Sequence, residues 1–95
     1  MGVERKNRGF VGAGHEIAVC ADLMKRGYQV FRALSPHCPF DLVVLIKDRL
    51  YRVEVTVGYL RKDGSVGHGK NKALKSDILA LVLSSGVIVY KGLPE

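Results

Sequence analysis

Two acidic residues interrupt adjacent apolar segments and define the chemistry this chain could perform. Asp41 lies in the segment Phe40–Ile46, and Glu54 lies in the segment Tyr51–Val57. Each segment otherwise has the residue types of a buried strand. A hairpin through residues 47–50 would bring both acids toward the same end of a sheet, where their oxygens could share one hard cation. This is the minimal geometry of a phosphodiesterase that depends on Mg²⁺ or Mn²⁺.

Alternation along the second segment indicates that Glu54 does not face the core. With a period of two, one face carries Val53, Val55 and Val57, and the other carries Arg52, Glu54 and Thr56. A purely structural interpretation remains open. Asp41 would then turn the chain after Pro39, and Glu54 would form a cross-strand salt bridge with Arg49 or Arg52.

The composition is that of one small basic domain. Ninety-five residues allow a single modest core, and 15 Lys and Arg against 9 Asp and Glu give a net charge of +6. The excess of positive charge is compatible with a polyanionic partner such as DNA, although many small soluble proteins are equally basic.

The sequence predicts neither a membrane span nor a structural zinc site. No apolar run reaches the roughly 20 residues that a membrane helix needs, and the N-terminus lacks the apolar stretch of a signal peptide, so we expect a cytoplasmic protein. Cys20 and Cys38 are not in a C-x-x-C pair. Cys20 is on the apolar side of the first predicted helix, which favours a small buried hydrophobic residue over a reactive thiol.

The elements that must position the two acids follow from periodicity. Residues 1–13 predict a basic, poorly ordered arm, with order beginning near Gly14 and a single domain over 14–95. Helical spacing predicts a helix over 15–26 that stops at Gly27, followed by a strand over 28–32. The two acid-bearing strands come next.

The second half predicts a mobile basic loop after Gly58, a short helix over 71–76 and a strand from Asp77 to Leu83. Ser84-Ser85-Gly86 predicts a tight turn into an antiparallel strand over 87–90. The expected fold is therefore α+β, in the order helix, three strands, helix, two strands, with a mixed sheet flanked by helices.

The order of three short motifs resembles the PD-(D/E)XK nuclease superfamily, and most closely its small Holliday-junction resolvases and intron-homing endonucleases. The motifs are Gly14-His15-Glu16 opening a helix, Pro39-Phe40-Asp41-Leu42-Val43, and Val53-Glu54-Val55-Thr56. The resemblance runs from about Gly14 to Tyr90 and implies an α/β/α restriction-endonuclease-like core.

The resemblance also implies a role for each acid. Asp41 and Glu54 would bind Mg²⁺ together with the backbone carbonyl of Val55, and Glu16 would help hold or orient the ion. The implied reaction is hydrolysis of DNA phosphodiester bonds. A homodimer is expected, because two cuts on a duplex need two sites. Glu16 is also near the predicted helix start, where the helix dipole alone favours an acid.

The motif departs from the family at one position, because Thr56 stands where the family has Lys. A hydroxyl cannot replace that positive charge. Arg52 starts on the same strand face, and Lys70, Lys72 or Lys75 could reach back from the following segment; we favour Lys72 as the catalytic cation. Residues expected to contact nucleic acid are Arg52, Arg61, Lys62, Lys70 and Lys75.

Three functions remain open on the sequence. The first is an active Mg²⁺-dependent DNA endonuclease. The second, favoured by Thr56, is a nucleic-acid-binding domain that keeps the fold without the activity. The third is a structural protein whose acids are ordinary salt-bridge partners.

Overall fold

A computed structural model of the chain describes residues 7–35, 41–69 and 76–94. The described residues form one helix, α1 (Arg8–Lys25), and six strands, β1 (Gln29–Arg32), β2 (Leu42–Ile46), β3 (Arg49–Leu60), β4 (Val66–His68), β5 (Ile78–Val82) and β6 (Ile88–Lys91). The strands form one sheet in the order β1-β2-β3-β5-β6, with β4 paired to β3. Only β3 and β5 are parallel, so the sheet is mixed, and the α+β prediction is confirmed.

Helix α1 begins earlier than the sequence analysis predicted. It starts at Arg8 instead of His15, so residues 8–13 of the predicted arm are helical. The Asn7 side chain caps the helix by accepting hydrogen bonds from the backbone N–H groups of Gly9 and Phe10, at 2.9 and 3.2 Å. The cap explains the start, since three glycines in the first two turns would otherwise disfavour a helix. The predicted stop is confirmed, with Gly27 at φ +91°.

The acid-bearing strands β2 and β3 form a tighter hairpin than predicted. Their turn consists of Lys47 and Asp48 alone, at φ 50° and 64°. Positive φ at both central residues matches the right-handed twist of a two-residue hairpin. Strand β3 therefore starts at Arg49, and the short turn fixes which residues of β2 and β3 are opposite each other.

One face of the sheet packs against α1. Val19 and Leu23 of the helix are fully buried against alternate residues of three strands, namely Leu42, Val44, Ile46, Val53, Ile78, Ala80 and Val82. Cys20 is half-buried beside this cluster, in agreement with its interpretation as a small apolar residue. The core thus anchors the strand segments next to Asp41 and Glu54.

The stretch after Gly58 is more regular than the mobile loop that the sequence predicted. Strand β3 continues to Leu60, and β4 pairs back onto it through Gly58↔His68 and Leu60↔Val66. Asp63 closes the turn, because its carboxylate accepts hydrogen bonds from the N–H and hydroxyl of Ser65. This segment is a short β-hairpin.

The late strands agree with the prediction. Strands β5 and β6 are antiparallel across a turn that contains Gly86 at φ +92°. The predicted helix over 71–76 falls, apart from Ser76, outside the described residues, as do His37, Cys38 and the Pro39 that precedes β2. Within the described ranges, no helix is long and apolar enough to cross a membrane.

Candidate active site

The β2–β3 register brings Asp41 and Glu54 together. Leu42 is opposite Val53, so the next position of the antiparallel pair is Asp41 opposite Glu54. Strand β2 begins at Leu42, and Asp41 forms a bend just before it. Both acids are half-buried, where the regular pairing of the two strands ends. The predicted convergence of these two residues thus follows from the hairpin.

Asp41 is held in place by the backbone of β3. The Val55 N–H donates a hydrogen bond of 2.9 Å to Asp41 Oδ2. The N–H and C=O of one strand residue point to the same side, so the Val55 carbonyl also points toward Asp41. The last β2–β3 pair is Leu42↔Val53, which places that carbonyl beyond the end of the ladder. A backbone oxygen therefore lies on the same side of β3 as the Asp41 carboxylate.

Glu16 approaches the two acids from α1. It lies near the middle of the helix and not in its first turn, because α1 begins at Arg8. A helix-dipole explanation for this acid therefore does not apply. Its half-buried carboxyl and that of Glu54 both have a raised pKa, firstly because of burial and secondly because of the like charge of Asp41. Glu16 also raises the pKa of Glu54, so the three carboxyls form one electrostatic group.

Arg52 is occupied away from the acids. Its Nε donates to Asp77 Oδ2 at 3.1 Å, and its backbone N–H donates to the same oxygen at 2.8 Å. The structural alternative required Glu54 to pair with Arg52 or Arg49. Arg52 instead pairs with Asp77, just before β5, and Arg49 lies over the Tyr51 ring at 5.3 Å. Among the described residues, the charges that shift the pKa of Glu54 are those of Asp41 and Glu16.

Thr56 follows Glu54 by two residues on β3 and is half-buried opposite Leu81 of β5. Lys70, Lys72 and Lys75 lie outside the described residues, so their predicted approach to the site stays a prediction. The described part of the chain contains an exposed cation that the sequence analysis did not select, Arg32. Its charge opposes the effect of burial on the pKa of both Glu16 and Cys20.

The sequence feature that could have indicated Arg32 is its position at the end of the strand that precedes β2. It is the last residue of β1, and β1 runs antiparallel to β2, so the end of one strand meets the start of the other. Arg32 pairs with Leu42, the residue after Asp41.

Two of the predicted nucleic-acid contacts lie in the β3–β4 turn. Arg61 and Lys62 are exposed, and the Arg61 guanidinium is 5.8 Å from the centre of the Tyr59 ring. They follow Glu54 by seven and eight residues, which is roughly 25 Å along an extended strand. They are therefore too distant to act on a bond at the acids.

The donor set suits a hard divalent ion held by few protein ligands. Among the described residues, no group of three or more His, Cys, Asp and Glu side chains is close enough to bind one metal ion. Asp41, Glu54 and the Val55 carbonyl nevertheless offer two carboxylates and a backbone oxygen. Mg²⁺ is typically bound by one or two carboxylates and keeps several waters or substrate phosphates. The residues present fit that pattern.

Comparison with known proteins identifies the family. The model of the PD-(D/E)XK endonuclease family matches residues 6–84. The chain therefore belongs to this family, as the motif order had indicated.

Among solved structures, the chain is similar to a bacterial homing endonuclease, I-Ssp6803I, with a TM-score of 0.70 and 15% identity. The match covers 90% of this chain and 69% of that one, and at this identity it supports the fold alone. No curated protein matched the sequence.

Proposed function

We propose that this chain is a Mg²⁺-dependent DNA endonuclease that hydrolyses phosphodiester bonds at the acid site formed by Glu16, Asp41 and Glu54. The observation that carries the proposal is the electrostatic coupling of these acids beside the Val55 carbonyl. Such a cluster is unfavourable without a cation, and it occurs in a chain of the nuclease family.

The proposal gives each residue of the site a role in binding the metal ion. Asp41, Glu54 and the Val55 carbonyl would bind the Mg²⁺ or Mn²⁺, and Glu16 adds negative charge on the helix side. When bound, the ion lowers the pKa of a coordinated water and neutralises charge on the phosphate. The Val55 N–H fixes the Asp41 carboxylate, so the site is organised before substrate arrives.

The positive surface fits a polyanionic substrate. The net charge is +6, and Arg61 and Lys62 project from the β3–β4 turn. Their separation from Glu54 of roughly 25 Å corresponds to about seven base pairs of duplex rise. They would contact backbone phosphates outside the bond that is cut. A homodimer in the cytoplasm, with one site for each strand of the duplex, completes the proposal.

Cleavage of plasmid and branched DNA tests it, with Asp41→Asn as the matched variant. The asparagine carbonyl can still accept the Val55 N–H, so the fold is preserved while the charge is removed. We expect the wild-type chain to nick DNA in Mg²⁺ or Mn²⁺, and the variant to lose at least about 10²-fold in rate. Equal nicking by both proteins, or no nicking by either in any divalent metal, would overturn the proposal.

One observation favours a second function, a DNA-binding domain without activity. Thr56 occupies the position of the family's Lys, and its hydroxyl carries no charge. This function predicts DNA binding that weakens steeply with salt, no dependence on divalent metal and no cleavage product. The same cleavage experiment separates the two functions.

A further inference from the structure

The geometry points to Arg32 as the residue that binds the DNA phosphate at the acid site and supplies there the positive charge that Thr56 lacks. This inference rests on the proposed function and names the cation that the motif itself does not provide. The sequence analysis considered Arg52 and favoured Lys72 as that cation, whereas Arg32 is the last residue of β1.

Strand pairing brings Arg32 to the start of β2. It pairs with Leu42, and the next residue, Ala33, donates its backbone N–H to the Asp41 carbonyl oxygen at 3.4 Å. The chain that carries Arg32 is thus bonded to the backbone of the central acid. Opposite residues of an antiparallel pair share a face, so Arg32 begins on the face of Leu42, which packs against α1. Asp41 lies in a bend before β2, where strict alternation between the two faces of the sheet no longer applies.

The helix-facing side is also the side of Glu16. The charge of Arg32 acts on both Glu16 and Cys20, which are one turn apart on α1. Glu16 therefore experiences the negative charge of Asp41 and the positive charge of Arg32 together. The pairing of Arg32 with Leu42 and the hydrogen bond from Ala33 to Asp41 place Arg32 at the edge of the acid site, and its charge effect on Glu16 agrees with that position.

Arg32 is available for a ligand. Four other arginines contact protein groups: Arg26 with Asp22, Arg49 with Tyr51, Arg52 with Asp77, and Arg61 with Tyr59. Arg32 is exposed, and within the described residues its side chain makes no hydrogen bond or ion pair. Its planar fork of N–H donors matches two phosphate oxygens.

Charge balance at the site requires such a residue. Three ionised carboxylates and one divalent ion leave a net negative charge, and a phosphodiester adds another. One guanidinium offsets one of these two negative charges and would stabilise the additional charge that develops on the phosphate during attack. Arginine stays protonated, so its contribution is charge and hydrogen bonding and not proton transfer.

The test combines cleavage rates with the salt dependence of binding. Single-turnover cleavage of duplex DNA is measured for the wild type, Arg32→Ala and Arg32→Lys, with Arg49→Ala as control because Arg49 lies at the opposite end of the β2–β3 hairpin. Binding is measured in the Asp41→Asn background, so that no DNA is cut. We expect Arg32→Ala to lower the cleavage rate by about 10²-fold, Arg32→Lys to restore part of it, and Arg49→Ala to leave it unchanged.

The salt slope of log K against log salt gives a readout that does not need activity. Loss of one phosphate contact should reduce the slope by about 0.9 in the Arg32→Ala protein. An unchanged slope, or a reduced slope with unchanged cleavage, would overturn the assignment of Arg32. A reduced slope in a protein that never cleaves would support the phosphate contact and overturn the endonuclease proposal instead.

Discussion

At the residue scale, the acid site is a local electrostatic cost to the folded chain. Burial and the negative charge of Asp41 raise the pKa of Glu16 and Glu54, so their ionised forms are less stable in the fold than in water. The sign follows from linkage. An acid with a raised folded pKa favours the folded state at low pH, and this contribution is lost as the pH rises through its folded pKa.

Glu54→Gln is therefore expected to stabilise the protein in the absence of metal. Near pH 7 the free energy of unfolding should rise by about 0.5 to 1 kcal/mol, because the substitution removes a charge that Asp41 and Glu16 repel. The gain should vanish below the ordinary Glu pKa of about 4.5, where the wild-type side chain is also neutral.

Urea unfolding of both proteins across this pH range measures the effect. Asp48→Asn is the control, since Asp48 is exposed in the hairpin turn and asparagine tolerates its positive φ. A Glu54→Gln protein that is less stable than the wild type at pH 7 would show that the carboxylate makes a favourable contact instead.

The sequence predicted the individual acids better than their partners. Asp41 and Glu54 stand out because each interrupts an apolar period, a signal that lies within a few residues. The partner of Arg52 is Asp77, 25 residues away, and no local pattern specifies such a pairing. Arg32 was not selected for the same reason, because only the pairing of β1 with β2 brings it near Asp41.

At the element scale, a polar group of three residues links α1 to β6, the edge strand of the sheet opposite β1. The Tyr90 hydroxyl of β6 donates to Asp22 Oδ2 at 2.6 Å, and Arg26 Nε donates to the same oxygen at 3.1 Å. Burial alone would raise the pKa of Asp22, but the two hydrogen bonds together with the positive charges of Arg26 and Lys25 outweigh burial, and the pKa is lowered. These hydrogen bonds link the C-terminal half of α1 to β6. Glu16 lies in the N-terminal half of the same helix.

Tyr90→Phe is expected to lower the free energy of unfolding by about 1 to 2 kcal/mol, because a hydrogen bond to a carboxylate is lost. The loss should shrink as the pH falls below about 3.8, the ordinary pKa of Asp, and through the lower pKa that Asp22 has in the folded chain, because protonation of Asp22 weakens the bond.

Thermal unfolding against pH measures this, with Tyr59→Phe as the control hydroxyl on the exposed end of β3. Equal melting temperatures for the Tyr90→Phe and Tyr59→Phe proteins would show that the Tyr90 bond contributes nothing.

Element boundaries were predictable where a local signal marks them. Gly27 and Gly86 both end elements at positive φ, as the sequence indicated. The start of α1 was not predicted, because the glycines of residues 9–14 hid the cap at Asn7. Strand β4 was also missed, since a three-residue strand is defined only by its partner.

At the scale of the whole molecule, the family fold is retained although its charge pattern has changed. The chain shares the fold of a homing endonuclease at 15% identity, and the negative charges of Asp41 and Glu16 both act on the carboxyl of Glu54. Thr56 carries no charge, so the proposed activity would require a positive charge from another part of the fold. The site is therefore a property of the assembled sheet and helix, not of one motif.

Binding of a divalent ion tests the central claim most directly. Calorimetric titration with Mg²⁺ and Mn²⁺ compares the wild type with Asp41→Asn and Glu54→Gln, and thermal unfolding is followed in parallel. At a free ion concentration of about 100 times the Kd, the free energy of unfolding should rise by about 2.7 kcal/mol. We predict saturable binding by the wild type that falls at least about tenfold in each variant; equal affinity in all three proteins, or no binding by any, would contradict the account.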